Sequence, residues 1–304
     1  MKIAVMGAGA VGCYYGAMLA LAGHQVVLVG RASFVEAVSH NGLILEKDGQ
    51  RLVAKVQAST DPAAIAGAEM VMVCVKSGDT EQAGREIAPY LSPACTVLSL
   101  QNGVSNAETL TGILGQPVMP VVVYVASRMN GPGVVRHEGR GDLELSGQAV
   151  GKVVTTLNAA GVQTTVSEDV MRSLWAKLVV NCAINPLSAI TRMPYGKMAE
   201  QDGIPQLMED IAREALSVAK AEGVAVPSSV FETIRTIPVS MAGQYSSTAQ
   251  DLMNGKATEI DFLNGEVVSL AAKHGIAVPI NRTLTLLVKS AERGKAAVYD
   301  MRGQ

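Results

Sequence analysis

Residues Lys2 to Met6 (KIAVM) form a short apolar run. Gly7-Ala8-Gly9-Ala10-Val11-Gly12 follows without a gap and leads straight into the helix-forming stretch Cys13 to Ala22. Few arrangements satisfy a strand, three glycines at this spacing and a helix in immediate succession. Gly7 suits the tight strand-to-helix turn, Gly9 would let a ligand approach the backbone, and Gly12 would let the helix lie close on the strand. Gly23 then stops the helix, His24-Gln25 turns, and Val26 to Val29 (VVLV) supplies a second strand. Two parallel strands with a helical crossover dictate an α/β domain, with ligands outside the carboxyl ends of the strands. The segment Gly7, Ala8, Gly9, Ala10, Val11, Gly12 therefore predicts a dinucleotide whose pyrophosphate sits at the positive end of the first helix. A secretory leader is the competing reading of so apolar an N-terminus. Five glycines between residues 7 and 23 argue against it, and the pattern predicts no uninterrupted apolar run of ~20 residues able to span a bilayer.

The end of the second strand decides which dinucleotide. An acidic residue there would hold a ribose diol, whereas this chain reads Gly30-Arg31-Ala32-Ser33. A guanidinium suits a 2′-phosphate, so Arg31 points to NADP(H). Further along, Met70 to Val75 and Thr96 to Leu100 read as buried parallel strands that deliver Lys76 and Asn102 to the same edge. Turn chemistry by itself also favours the Asn102-Gly103 pair. Leu43 to Ala58 reads as a hairpin region, and Val118 to Arg128 with Gly133 to Ser146 as an antiparallel extension. His137 lies on a strand face and is given no catalytic role. A helix from Gln148 to Ala160 and a strand from Val162 to Val166 close a first domain at residues 1–167.

A chain of 304 residues has room for a second domain. Its 25 basic and 27 acidic residues offer no basic field for a polyanion, so nucleic acid is not expected as a partner. Cys13, Cys74, Cys95 and Cys182 are scattered in apolar surroundings without a paired spacing, which fits reduced thiols in a cytoplasmic protein. No metal is expected, because His24, His40, His137 and His274 form no ligand-spaced cluster.

From Glu168 the periodicity becomes helical, predicting an all-helical second domain over residues 168–304: Glu168 to Ile190, Gln206 to Glu222, Ser228 to Ile237, Ser246 to Gly255, Ala257 to Gly275 and Asn281 to Arg293. Its outer helical surfaces could serve a homodimer. The first of these helices carries the chemistry. At 100° per residue, Lys177, Asn181, Asn185 and Ser188 fall within ~80° of one another among Leu, Val, Ile and Ala. Internal hydrogen bonds would account for such a stripe blandly. A lysine in an apolar cleft loses solvation of its ammonium form, and this fits a general acid near neutral pH. Pro186 frees a backbone carbonyl and threatens a kink. Ser247 and Glu259 sit in a second polar constellation, SSTAQD at 246–251 and TEIDFLNG at 258–265. Ser247 could simply open a helix, and Glu259 could be a surface acid at a helix start.

With these segments in place the chain resembles the ketopantoate reductase (2-dehydropantoate 2-reductase) family over its whole length. The resemblance rests on GAGAVG at 7–12, VKS at 75–77, QNG at 101–103, GPGVVRH at 131–137, WAKLVVNCAINPLSA at 175–189, the two blocks just quoted, and HGIAVP at 274–279. It implies a Rossmann-type doubly wound N-terminal domain followed by an all-α catalytic domain, and NADPH-dependent reduction of 2-dehydropantoate to (R)-pantoate in pantothenate and coenzyme A synthesis. It assigns Lys177 as general acid. Asn181, Asn185 and Ser247 become substrate binders, and Glu259 the partner of a substrate hydroxyl. Asn102 falls at the reacting region, Arg31 and Lys76 at the cofactor. One position departs from the family: its best-matching members carry Asn where this chain has Tyr195, in Pro194-Tyr195-Gly196. A β-hydroxyacid or 6-phosphogluconate type dehydrogenase is the enzyme alternative, set back by the TEIDFLNG block. A non-catalytic NADP(H) sensor would have no use for the Lys177, Asn181, Asn185 stripe.

Overall fold

The computed structural model describes residues 1–146 and 150–300, so the expected helix start at Gln148 lies outside the described residues. The chain divides into two compact units, Met1–Val170 and Met171–Gln304. The sequence pattern places the division at Ser167/Glu168.

The first unit is a mixed α/β structure on ten strands. β1 (Lys2–Met6) leads into α1 (Ala10–Leu21) and β2 (Gln25–Val29), followed by α2 (Ala32–Asn41). β3 (Leu43–Lys47), β4 (Gln50–Ala54) and β5 (Gln57–Ser59) come next, then β6 (Met70–Val73), α3 (Thr80–Ile87) and β7 (Thr96–Ser99). The unit closes with α4 (Asn106–Leu114), β8 (Val118–Met129), β9 (Val134–Leu145), α5 (Val150–Ala159) and β10 (Thr164–Val166). The sheet order is β4-β3-β9-β8-β7-β6-β1-β2-β5, with β10 on β9. β1 pairs in parallel with β2 on one side and β6 on the other. The strand order therefore reverses at β1, and that switch point is where a parallel sheet opens a ligand crevice.

Two expectations need correction here. The expected hairpin is present over β3 and β4, turning at Asp48-Gly49, but it ends at Ala54: β5 runs parallel to β2 at the opposite end of the strand order. β3 in turn pairs in parallel with β9 through Ile44–Glu46 and Val134–Arg136. Hairpin geometry is local, but the partner of a hairpin's outer face is chosen by tertiary packing. Helices α2 and α4 also lie in stretches to which the pattern assigns none.

α1 shows why the first thirty residues are so apolar. Tyr15, Ala17 and Leu19 share one core cluster with Val5 and Leu28 of the parallel strands and with Leu45, Val123, Val135 and Leu143 of the antiparallel part. A helix covered on both sides is apolar all round rather than striped.

The second unit contains only helices among its described residues: α6 (Val170–Thr191), α7 (Tyr195–Ala199), α8 (Ile204–Ala221), α9 (Val230–Ser240), α10 (Ser247–Met253), α11 (Asn264–His274) and α12 (Pro279–Asp300). α8 buries Met208, Ile211, Ala212, Ala215, Val218 and Ala219, the spacing of an amphipathic helix seated on a core. The expected single helix from Ala257 to Gly275 is instead a 3-10 turn, Ile260–Phe262, broken at Leu263 (φ −112°, ψ −100°) before α11 begins. α6 tests the expectation on apolar length. Its 22 residues are long and apolar enough to cross a membrane by length and composition, with mean hydropathy 1.2, and 72% of that apolar window is buried within the protein. The core helix of a globular domain has the same length and composition, and Lys177, Asn181 and Asn185 interrupt this one.

Candidate active site

The candidate residues fall into two groups, one on each unit. In the first, Gly7 has φ 108°, and a Cβ there would lie 2.6 Å from the Val75 nitrogen. Only glycine fits that turn. A Cβ on Gly12 would lie 2.1 Å from the Gly7 carbonyl oxygen and 2.9 Å from Val5 Cγ1, so this glycine lets α1 lie on β1. Gly9 differs from both: nothing lies within 4 Å of its Cβ position, and its backbone (φ −81°, ψ −172°) is ordinary extended chain. Gly9 is also the N-cap of α1, and no side chain caps that helix. Open space in front of an uncapped helix N-terminus between two crowded glycines fits a pyrophosphate, cradled by Gly7, Ala8, Gly9, Ala10, Val11 and Gly12.

Arg31 follows the carboxyl end of β2 and caps α2 through its backbone. It is exposed, and its guanidinium makes no hydrogen bond or ion pair to another described residue. Lys76 and Asn102, both half-buried, stand after β6 and β7. Because β7, β6, β1 and β2 are consecutive in the sheet, one edge gathers Asn102, Lys76, the glycine segment and Arg31.

The sequence pattern does not single out the polar lock beneath this edge. The Asn102 carbonyl accepts from Ser77 Oγ (2.8 Å) and Asn106 Nδ2 (2.6 Å). Gln101 Nε2 donates to Thr80 Oγ1 at 2.6 Å, and that hydroxyl lies 2.7 Å from Asn106 Oδ1. Ser77, Thr80, Gln101 and Asn106 are all buried, so the two loops are tied together by satisfied hydrogen bonds. Polar side chains directly after apolar strands are the available signal. The second missed feature lies within β8, the strand expected at Val118 to Arg128, whose Pro120 is level with Ser99 of β7. The remainder of β8 runs beyond the carboxyl end of β7, with bulges at Tyr124/Val125 and Ala126/Ser127 and a buried Ser127 hydroxyl lacking a partner among the described residues. Bulges commonly mark functional edges.

His137 is part of the scaffold. Its ring stacks on Tyr14 (centroids 4.9 Å apart, 14° between planes), and Nε2 lies 2.6 Å from the Arg140 carbonyl oxygen. Burial raises all four thiols, Cys95 to about 11 and Cys13 to about 12, so they are protonated at neutral pH. Among the described residues no three of His, Cys, Asp and Glu cluster as a metal site would require.

The second group lies on α6, which runs through Pro186 without ending. Lys177 and Asn181 are half-buried, whereas Asn185 is 5% exposed and Ser188 wholly buried. The stripe divides by hydrogen bonding. Ser188 Oγ donates to the Met193 carbonyl (2.9 Å) and accepts from the Ser246 N–H (3.3 Å), an internal structural role. The side-chain amides of Asn181 and Asn185 make no hydrogen bond to another described residue. Ser246, not Ser247, caps α10: its Oγ accepts from the Ala249 N–H (3.0 Å) and donates to the Asn185 carbonyl (3.0 Å). Ser247 is the first residue of α10 and exposed. Glu259, half-buried, precedes the 3-10 turn and not a long helix, which corrects its expected position. Ala189 of α6, Ala249 and Leu252 of α10, and Ile260 beside Glu259 belong to one apolar cluster with Val288. That cluster brings the segments of Ser247 and Glu259 to the C-terminal half of α6. Tyr195 opens α7, with its N–H donated to the Gln244 carbonyl (2.9 Å), and burial pushes its phenol up to about 12.

Comparison with known proteins agrees with this geometry. The family model described as "Ketopantoate reductase PanE/ApbA" matches residues 3–150, and that described as "Ketopantoate reductase PanE/ApbA C terminal" matches 169–292. A 2-dehydropantoate 2-reductase of Halobacterium salinarum is 36% identical, covering 96% of this chain and 99% of its own. Among solved structures, a PanE/ApbA family ketopantoate reductase from Ralstonia eutropha JMP134 is 49% identical at TM-score 0.95, covering 97% of this chain and all of its own. D-mandelate dehydrogenase with NADH and anilino(oxo)acetate is 26% identical at TM-score 0.92, covering 97% and 99%.

Proposed function

The chain belongs to the ketopantoate reductase PanE/ApbA family of dinucleotide-binding oxidoreductases, and from that premise we propose that it reduces 2-dehydropantoate to (R)-pantoate with NADPH. The observation that carries the reading is the pair of amides, Asn181 and Asn185, on the α6 face that bears Lys177. Asn185 is 5% exposed and Asn181 half-buried, and a buried amide is normally satisfied within the protein. Here their donors and acceptors remain available to a small polar molecule.

When bound, the dinucleotide would supply the hydride for C2 of the 2-oxo acid. The glycine segment at residues 7–12 would hold its pyrophosphate, Arg31 a 2′-phosphate, and Lys76 with Asn102 the portion nearest the reacting carbon. Lys177 donates a proton from its ammonium to the ketone oxygen as the C–O double bond is lost, leaving a neutral amine that regains a proton from solvent. Asn181, Asn185 and Ser247 hold the acid through hydrogen bonds, and Glu259 accepts from its hydroxyl. Charge developing on the oxygen is met by a cation in place, which is where catalysis gains over simple binding. The reaction so read is a cytoplasmic step of pantothenate and coenzyme A synthesis.

A second reading follows from the likeness to a D-mandelate dehydrogenase solved with NADH and from Tyr195: an aryl-substituted 2-oxo acid as substrate, with NADH. The test is NADPH and NADH oxidation against a panel holding ketopantoate, pyruvate and phenylglyoxylate. Ketopantoate with NADPH should give the highest kcat/KM. Lys177→Ala should bind NADPH normally and lose ~10²–10⁴ in turnover. Undiminished turnover by that variant overturns the mechanism.

A further inference from the structure

We propose that Asn264 is a positioning residue for the substrate face of α6, supplying the hydrogen bond that Pro186 removes between Asn181 and Asn185; the inference rests on reading that face as the substrate site. Pro186 has no N–H, so the Cys182 carbonyl four residues earlier has no helical partner. Asn264 Nδ2 donates to that carbonyl at 3.1 Å from the first residue of α11.

Asn264 is itself held. The same nitrogen donates to Asn281 Oδ1 (3.0 Å), and Asn281 Nδ2 donates to the Ile211 carbonyl (3.2 Å) and to Glu214 Oε2 (2.8 Å). Glu214 also accepts from the Ile280 and Asn281 N–H groups at the start of α12. Asn264 and Asn281 are both wholly buried, so this chain of amides ties α6 to α8, α11 and α12 at the residue next to Asn181. Asn264 Oδ1 is buried and has no partner among the described residues. Leaving an acceptor empty is unfavourable, and a side chain kept under that condition is kept for its donors. Both amide hydrogens are engaged, one on the helix that carries the stripe. An apolar residue would leave the carbonyl bare, and an aspartate would set an acceptor against it.

The experiment measures wild type, Asn264→Ala, Pro186→Ala and the double variant for steady-state kinetics across the 2-oxo acid panel, for NADPH affinity by fluorescence, and for Tm. Asn264→Ala should raise KM for the 2-oxo acid about tenfold, equal to 1.4 kcal/mol, with NADPH affinity within about twofold of wild type. Pro186→Ala restores an N–H for the Cys182 carbonyl, so the double variant should recover KM toward wild type even though Tm stays low. A fall in Tm with KM unmoved is what a purely structural residue gives, and it overturns the proposal. So does a double variant whose KM is the sum of the two single effects. Asn264→Ser keeps one donor on a shorter arm and is read in the same way if Asn264→Ala does not fold. A wild type inactive on every 2-oxo acid overturns the functional reading along with this one, whereas an active wild type with an unmoved Asn264→Ala KM overturns this one alone.

Discussion

Gly9 and Gly12 stand three residues apart in one fingerprint, yet their alanine variants should fail in different ways. At Gly12 an added Cβ would lie 2.1 Å from the Gly7 carbonyl oxygen, and α1 must move off β1 to admit it. Forced overpacking of this kind costs about 1–3 kcal/mol, and Gly12→Ala should melt several degrees lower. At Gly9 there is nothing within 4 Å, and the backbone is in a region any residue adopts. Alanine there gains about 0.4–1 kcal/mol by restricting the unfolded chain and loses a similar amount as a poorer N-cap, so Tm should be unchanged. Its methyl nevertheless fills the space in front of the α1 N-terminus. Losing one charge-assisted hydrogen bond to a pyrophosphate is worth about 1.5–3 kcal/mol, or roughly 10- to 150-fold in NADPH Kd. Thermal melts and fluorescence titration of both variants make the comparison. Wild-type NADPH affinity in Gly9→Ala would refute the placement of the pyrophosphate, whatever Gly12→Ala does.

Three further outcomes follow from single residues. Arg31→Ala should weaken NADPH by about 10-fold, the lower end for a hydrogen bond to a charged group given its exposure, while NADH is unaffected; an unchanged NADPH to NADH ratio of kcat/KM would show that Arg31 does not read the 2′-phosphate. Tyr195→Asn should shift the kcat/KM ratio toward ketopantoate over phenylglyoxylate by about tenfold, the worth of a modest change in pocket shape; an unmoved ratio places Tyr195 outside the substrate site. Burial and the nearby N-terminal ammonium lower the pKa of His24, so the unfolded chain binds more protons than the folded one below pH 6.5. Stability should therefore decline as pH falls from 6.5 toward the lowered folded value, and His24→Gln should flatten that decline in Tm.

Local signals carry the parts of the fold that depend on near neighbours. The run from Lys2 to Val29 announces its βαβ unit because strand, turn, helix and stop are consecutive and each has its own residue chemistry. The α6 stripe is equally legible, since a 3.6-residue period needs no knowledge of what packs against it. The pairing of β3 with β9 is not legible, because Ile44 and Val134 are brought together only by the whole sheet. Nor is the break at Leu263, where Glu259 loses its expected helix. Residues 257–275 carry apolar positions at near-helical spacing, and the interruption at Leu263 sets Asn264 at the start of α11, where it donates to the Cys182 carbonyl. Ser77, Thr80, Gln101 and Asn106 stay hidden for a related reason: each is an ordinary loop or helix-start residue until the two segments meet.

The α6 stripe shows where sequence stops and structure begins. Lys177, Asn181, Asn185 and Ser188 are equivalent by period, and all four could be internal hydrogen-bonding residues or all four a site. Ser246 breaks the tie from 58 residues beyond Ser188. By giving its N–H to Ser188 and its hydroxyl to the Asn185 backbone, it satisfies the serine and the carbonyl while leaving the Asn185 amide unused. A residue that caps α10 thus also fixes which polar groups on α6 are scaffold. Were the stripe structural throughout, Asn185→Leu would break an internal hydrogen bond of a buried amide and should lower Tm. If the amide binds the 2-oxo acid, the same variant should keep or raise Tm and lose substrate affinity. Stability held or raised while substrate affinity falls is an outcome that no purely structural account of the stripe produces.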